Sequence, residues 1–261
     1  TVLNSTRSPL PETETNISYC MGDKTVPLTA KTVDGGTLTW YDATLAVLES
    51  APTPSADDAG ELVYYVSQTI GDKEESEKTL VTVKVAPIPT LDVTAPQAVY
   101  VNSSFTVSAV ASEKGAFAWL HESYTDEGQT ESSLPLTYAE TGNKIVTVGF
   151  KDLYGCETSA TATVKVKAMP SISFEKEEYE VLEGKTIVVT PVFANMPETV
   201  GSWSFEGNTV LAEVTTGVSA TYKGLSEGTG IVSCSVNYSD NETGYSDVLK
   251  ASCKISVIPF T

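Results

Sequence analysis

The strongest pattern in the chain is a two-residue alternation of apolar and polar side chains. In Thr79-Leu-Val-Thr-Val-Lys-Val85, Val81, Val83 and Val85 share one face while Thr82 and Lys84 share the other, as in a strand with one side in a core and one in water. Phe105-Thr-Val-Ser-Ala-Val-Ala111 and Thr186-Ile-Val-Val-Thr190 are short, β-branched and bounded by turn residues, and they predict strands as well. Helical periodicity is missing. The best stretch, Ala43-Thr-Leu-Ala-Val-Leu-Glu49, is short, lacks a clear cap and runs into Ala51-Pro-Thr-Pro54, where proline cannot continue a helix. It predicts at most a single turn or a bulged edge strand.

The predicted strands fall into a threefold repeat. A glycine leads into a tryptophan in Gly36-Thr-Leu-Thr-Trp40, Gly115-Ala-Phe-Ala-Trp119 and Gly201-Ser-Trp203. A second glycine then opens an apolar or aromatic run: Gly60-Glu-Leu-Val-Tyr-Tyr, Gly142-Asn-Lys-Ile-Val-Thr-Val and Gly230-Ile-Val-Ser-Cys-Ser-Val. Each unit closes on an alternating strand followed by Pro87, Pro170 or Pro259. Short strands, regular turns and one tryptophan per unit of about 80 residues predict an all-β chain of three tandem immunoglobulin-like antiparallel β-sandwiches. Trp40, Trp119 and Trp203 are each assigned to the core of their own sandwich. The boundaries are placed in Ala86-Pro-Ile-Pro-Thr90 and Lys167-Ala-Met-Pro-Ser171, giving domains over 13–88, 89–168 and 169–261 behind a tail over 1–12. That tail reads as the leftover end of a preceding domain. Short, proline-stiffened linkers predict an extended arrangement with limited bending.

Composition agrees with this picture and narrows the partners. The 261 residues are 41% hydrophobic and 19% charged, enough apolar side chain for folded cores. With 16 Lys plus Arg against 34 Asp plus Glu, the net charge is −18, which repels nucleic acid and anionic lipid. No run of about 18 apolar residues is present, so no membrane insertion is expected of this segment. Thr1-Val-Leu-Asn4 has neither a basic nor an apolar leader region, and any signal peptide or anchor is expected to have been cut away.

The four cysteines are of two kinds. Cys234 and Cys253 lie on the last two strands of the third unit, on either side of the polar turn Asp240-Asn-Glu-Thr-Gly244. Opposite positions on adjacent antiparallel strands meet the spacing a disulfide needs. Two readings stay open: a Cys234–Cys253 bond, or two buried thiols packing as small hydrophobes. Cys20 and Cys156 belong to different units with no partner inside them, which predicts free thiols. No Cys-x-x-Cys spacing exists and His121 is the one histidine, so no metal site is predicted.

No reactive constellation stands out. His121 has neither a second histidine nor a Gly-x-Ser-x-Gly elbow beside it and reads as a strand-end residue. Cys156, in Leu153-Tyr-Gly-Cys156, has no evident orienting partner. Carboxylate pairs are plentiful, but sandwiches this small offer little room for the cleft that glycoside hydrolysis uses. Asp57-Asp58, Asp126-Glu127 and Asp240-Asn-Glu242 offer oxygen ligands for calcium without the spaced Asp-x-Asp-x-Asp-Gly loop, and are read as solvated turns. Lys73-Glu-Glu-Ser-Glu-Lys78 is read as a soluble hairpin tip. No catalytic residue, metal or cofactor is assigned. The one binding feature is aromatic. Alternation sends one member each of Trp40-Tyr41 and Tyr64-Tyr65 outwards, so Tyr41, Tyr64 and Tyr65 are candidate glycan-stacking residues, with ordinary cross-strand packing as the alternative.

The first unit, with Ile17-Ser-Tyr-Cys20-Met-Gly-Asp, Leu38-Thr-Trp-Tyr-Asp42, Ala51-Pro-Thr-Pro-Ser55 and Tyr64-Tyr-Val-Ser-Gln68, resembles the Ig-like repeats of large surface proteins in Gram-negative gut and gliding bacteria. That family's second cysteine is absent, since Glu74 stands before Glu75-Ser76. The second unit, with Ser133-Leu-Pro-Leu-Thr-Tyr138, Val146-Thr-Val-Gly-Phe-Lys-Asp152 and Tyr154-Gly-Cys156, resembles a polycystic-kidney-disease-type (PKD) domain. There the family's Trp-Asp-Phe-Gly-Asp is replaced by Trp119-Leu-His-Glu122. The third is similar to bacterial Ig-like domains of adhesins, of the group 2 type. The resemblance implies an exported, surface-attached protein whose modules serve as stalks, spacers or adhesive surfaces, and it brings no catalytic residues. The expected function is therefore a non-catalytic stalk or adhesion segment, monomeric within a larger protein, that meets host or polysaccharide ligands or other surface proteins. The alternative is a carbohydrate-binding module of an extracellular glycan-handling system.

Overall fold

The computed structural model describes residues 6–33, 35–121, 124–126, 131–196 and 201–260. Every regular element among them is a β-strand, and the sheets fall into three groups along the chain. The first is a five-stranded sheet in the order Asn16–Cys20, Thr79–Ala86, Gly60–Thr69, Thr37–Tyr41, Val47–Leu48, together with the pair Glu12–Thr13 and Ala30–Lys31. The valines that alternation placed on one face, Val81 and Val83, are fully buried with Val66 against Leu28 and Trp40. The weakly helical stretch becomes the short edge strand Val47–Leu48, paired to Trp40 and Tyr41. The Asp42 carboxylate accepts the Thr44 and Ala46 amides and shapes the turn before it.

The middle group has a three-stranded sheet, Ser133–Leu136, Phe105–Ala111, Leu91–Thr94, and a five-stranded one, Tyr124–Asp126, Gly115–His121, Gly142–Asp152, Glu157–Lys167, Ala98–Tyr100. Trp119 is completely buried (0% exposed) and its indole donates to the Glu131 carbonyl at 3.2 Å. In the last group, the order is Glu178–Leu182, Tyr245–Ile258, Gly228–Asp240, Ser202–Glu206 in one sheet and Thr186–Val189, Ala220–Gly224, Leu211–Thr215 in the other, with Ser171–Phe174 pairing Pro191–Ala194. Trp203 is only partly buried. It packs against the third core, around Val189, Tyr222 and Ile255, and donates to the Gly217 carbonyl at 3.0 Å. The chain is thus an all-β series of immunoglobulin-like sandwiches, with Trp40 and Trp119 buried in the first two and Trp203 packed against the core of the third.

One feature repeats that alternation could not show, because parallel and antiparallel strands share the same period. In each group an early strand pairs in parallel with the last one: Asn16 with Thr82, Ala98 with Lys165 and Glu178 with Lys254. The glycines ahead of the tryptophans also have a steric reason. A Cβ on Gly115 would lie 2.1 Å from the Lys151 carbonyl oxygen, and one on Gly201 would lie 2.2 Å from Cys234 Sγ.

By packing, the chain divides into two units, Thr1–Thr94 with Val107–Leu134 and Ile145–Ala162, and Ala95–Thr106 with Pro135–Lys144 and Thr163–Thr261. The division falls within the middle sandwich rather than at the proline linkers. In the first unit, residues 7–12 are not a loose tail. The Ser8 amide donates to the Glu74 carbonyl at 2.9 Å, the Gln68 side chain donates to the Pro9 carbonyl at 2.9 Å, and Glu12 pairs with Lys31. In the second unit, the hairpin Gly228–Asp240 and Tyr245–Ile258 stays paired to its tip, Asp240 opposite Tyr245. Its sheet neighbours among the described residues stop at Ser235 on one side and Lys254 on the other. Residues 236–249 therefore continue as a two-stranded ribbon beyond the sheet.

Candidate functional site

The aromatic candidates do not assemble into a platform. Tyr41 does face away from Trp40, but it is buried, at 5% exposure, because Lys73-Glu-Glu-Ser-Glu-Lys78 folds over it instead of forming a solvated hairpin tip. The Tyr41 hydroxyl donates to Glu75, Ser67 donates to the same Glu75 oxygen at 2.5 Å, and Lys78 Nζ lies 4.2 Å from the Tyr41 ring centroid. Bonds from Ser67 and Tyr41 hold the Glu75 carboxyl below its usual range. Tyr64 packs on the first core, where burial pushes its phenol up. Tyr65, opposite Tyr41 in register, is partly exposed and lines a shallow depression of about 370 Å³ with Arg7, Leu45, Glu75 and Lys78. Tyr65 is thus a single ring set among Leu45 and charged side chains.

The acidic loops are also accounted for. Asp57 accepts a hydrogen bond from Ser55, Glu127 and the Asp126 side chain lie outside the described residues, and the third loop is engaged by lysines. No group of acidic, histidine or cysteine side chains among the described residues is placed to hold a metal. His121 ends the strand Gly115–His121. A second depression of about 700 Å³, over Ala116, Ala118 and Gly149, is lined also by Thr158, Ser159 and the Lys151–Glu157 ion pair, 2.8 Å apart.

The free-thiol assignment of Cys20 and Cys156 needs correction, and of the two readings of Cys234 and Cys253 the structure has the buried thiols. Cys234 and Cys253 are free and buried, and the disulfide joins Cys20 to Cys156, with Cα atoms 5.5 Å apart across a sequence separation of 136. The reason for the first half is register. Cys234 lies opposite Ala251 and Cys253 opposite Val232, so the two thiols are diagonal neighbours, about 7 Å apart rather than the ~4 Å between Cβ atoms that a bridge requires. Burial pushes both thiols up, Cys253 to about 11. The reason for the second half is position. Cys20 ends the parallel strand Asn16–Cys20 beside Ala86, the last strand residue before the first linker. Cys156 sits in the turn between Gly142–Asp152 and Glu157–Lys167.

Each half-cystine is held by an aspartate. The Cys20 amide donates to Asp23 Oδ2 at 2.7 Å, and the Cys156 and Tyr154 amides both donate to Asp152 Oδ1 at 2.8 Å. Gly22 and Gly155 supply the left-handed turns these loops need, with φ of 86° and 91°.

The second linker is flanked by a polar cluster carried by the projecting hairpin. Lys167 Nζ donates to Asp240 Oδ2 at 2.5 Å and to Glu242 Oε2 at 3.0 Å. The Tyr100 hydroxyl donates to Asp240 Oδ2 at 2.8 Å and lies 2.6 Å from the Tyr238 hydroxyl, and the Tyr100 ring meets Tyr245 edge-on at 5.2 Å. Asp240 is only 8% exposed. The Lys167 ammonium holds its carboxyl well below the usual range against the opposing effect of burial, with further help from Tyr100. Burial, aided by bonds to Tyr238 and Asp240, pushes the Tyr100 phenol up. The same contacts raise Lys167 through Asp240 and lower Glu242 through Lys167.

No family model matches the chain, and comparison with curated proteins finds no match. Similar solved structures include a three-Ig fragment of titin, 13% identical over 97% of this chain and 97% of that one, with a TM-score of 0.48. Mouse cadherin-23 EC22-24 is 12% identical over 96% and 99%, with a TM-score of 0.44. Drosophila N-cadherin EC1-4 is 12% identical over 96% and 74%, with a TM-score of 0.42. At these scores the likeness carries no inference about function.

Proposed function

We propose that the chain is a non-catalytic spacer or adhesion segment of an exported bacterial surface protein. In this reading three modules, an Ig-like repeat over 13–88, a PKD-like domain over 89–168 and a bacterial Ig-like domain over 169–261, hold or present a binding region. One observation carries the reading: specific side-chain chemistry lies at both of the joints that this reading sets between modules. A disulfide crosses the first, and an ion pair between a partly exposed lysine and a buried aspartate crosses the second. Joints fixed in this way suit a part that sets distance and orientation. The disulfide also fits an oxidising compartment outside the cytoplasm. Surface proteins or surface ligands are the partners this reading expects, and the charge of −18 argues against nucleic acid. Sugar stacking is not part of it, since Tyr41 is covered.

Small-angle scattering on the oxidised chain tests the reading. A single compact body of this length has a radius of gyration of roughly 18 Å. A spacer gives a value well above that, and a value close to it would overturn the proposal.

A further inference from the structure

We propose that the Cys20–Cys156 disulfide is a swivel lock. It removes rotation at the joint between the first two modules while neither core depends on it, so a reduced chain keeps both modules folded and gains a hinge at residues 87–90. This goes beyond the spacer reading and does not rest on it.

The first argument is placement. Ala86 ends the strand Thr79–Ala86, and Cys20 is its parallel partner, about 4.8 Å away across the sheet. The next residue, Met21, donates its amide to the Ala86 carbonyl at 2.8 Å. The chain therefore crosses the joint twice within a few ångströms, once through the peptide linker and once through sulfur. A single tether made of rotatable bonds leaves a module free to turn about it. A second tether displaced from the first takes that freedom away.

The second argument is independence. The first core is built from Leu28, Trp40, Val66, Val81 and Val83, without Cys20, and Cys156, although buried in the middle module, is held in its turn by Asp152 and not by sulfur alone. The two turns are closed by bonds that reduction does not touch: Asp23 to the Cys20 amide, Gly22 to the Ala56 carbonyl at 2.8 Å, and buried Asp152 to the Cys156 and Tyr154 amides. Breaking the sulfur bond leaves both thiols on preformed loops, ready to close again.

The third argument is access. Cys20 is partly exposed whereas Cys156 is buried, at 1% exposure. A dithiol reductant is the required co-reactant. Its thiolate attacks Cys20 Sγ, the Cys156 thiolate leaves and takes a proton, and the second thiol of the reductant displaces Cys20 as it closes to its own disulfide. Two electrons pass from reductant to protein. Cys234 and Cys253 take no part, because they are buried in the third module.

The test uses the full chain, oxidised, reduced with dithiothreitol, and as the Cys20→Ser/Cys156→Ser double variant. Residual dipolar couplings report whether the first and middle modules share one alignment tensor, and amide hydrogen exchange at Val83 and Val148 reports each core. The expected result is one shared tensor when oxidised and two distinct tensors when reduced or doubly substituted, with core exchange rates within about threefold throughout. Reoxidation of the reduced chain restores the single tensor. Two results overturn the proposal. A shared tensor after reduction shows a joint already rigid without sulfur. A rise of more than about tenfold in exchange at either core shows that the bond is a staple of the fold instead.

Discussion

The two joints of this chain are closed by opposite chemistries. The first is covalent and lies between two turns, each organised by an aspartate. The second is a polar cluster in which partly exposed Lys167 meets buried Asp240 beside Tyr100 and Tyr238, carried on a ribbon that outruns its own sheet. A disulfide ignores pH and salt but yields to thiols. The polar cluster ignores thiols but answers to protons and to any change in its cation. A single chain thus holds two connections that fail under different conditions, and each can be perturbed without touching the other.

The largest effect at the polar joint is expected from Lys167→Met. It leaves Asp240, 8% exposed, without its ammonium, which costs about 2–3 kcal/mol in urea unfolding of the full chain, with disulfide formation unchanged. Next comes Asp152→Ala, which strands two backbone amides at the covalent joint. It lowers the stability of the middle module by about 1–2 kcal/mol and slows regeneration of the Cys20–Cys156 bond in a thiol-trapping assay. If regeneration kept its wild-type rate, the turn would not be what positions Cys156.

Acid separates the joints by sign. The folded Asp240 carboxyl lies below its unfolded value, so its stabilisation is complete above an unfolded pKa of about 3.9 and drains away as pH falls towards the folded value. The Tyr100 phenol is raised, so its contribution is complete below about pH 10 and is lost as pH rises towards its folded value. A pH series of residual dipolar couplings should therefore show the last two modules losing common alignment at both extremes while the first two keep theirs. Asp240→Asn should abolish the acid limb. The smallest effect belongs to Lys165→Ala. Its side chain is 55% exposed and 3.5 Å from Glu242, so no resolvable change in unfolding is expected. An effect as large as that of Lys167→Met would mean that a diffuse field, and not the Lys167–Asp240 pair, closes the joint.

Much of the architecture could be read from residue order. Val81 and Val83 announced their face, and the glycine–tryptophan repeat marked three interiors because Gly115 and Gly201 press on neighbouring strands. Period-two reasoning gives the face of a residue and not what covers it, which is why Tyr41 was placed in solvent while residues 73–78 lie over it. The choice between a bond and two thiols at Cys234 and Cys253 turns on a two-residue register, which the pairing of Asp240 with Tyr245 sets and residue order does not show. The Cys20–Cys156 bond is hidden from any pairing rule confined to one unit. One unpaired cysteine in each of two successive units, with Cys20 at the end of a strand and Cys156 in a turn, was the available signal.

The silent thiols of the third sandwich bear on how the chain matures. Four cysteines permit three complete pairings. Cys234 and Cys253 are sealed away at 0% and 3% exposure as soon as their strands close. An oxidant that arrives after that collapse meets a single productive choice, and no isomerase is required to undo a rival one.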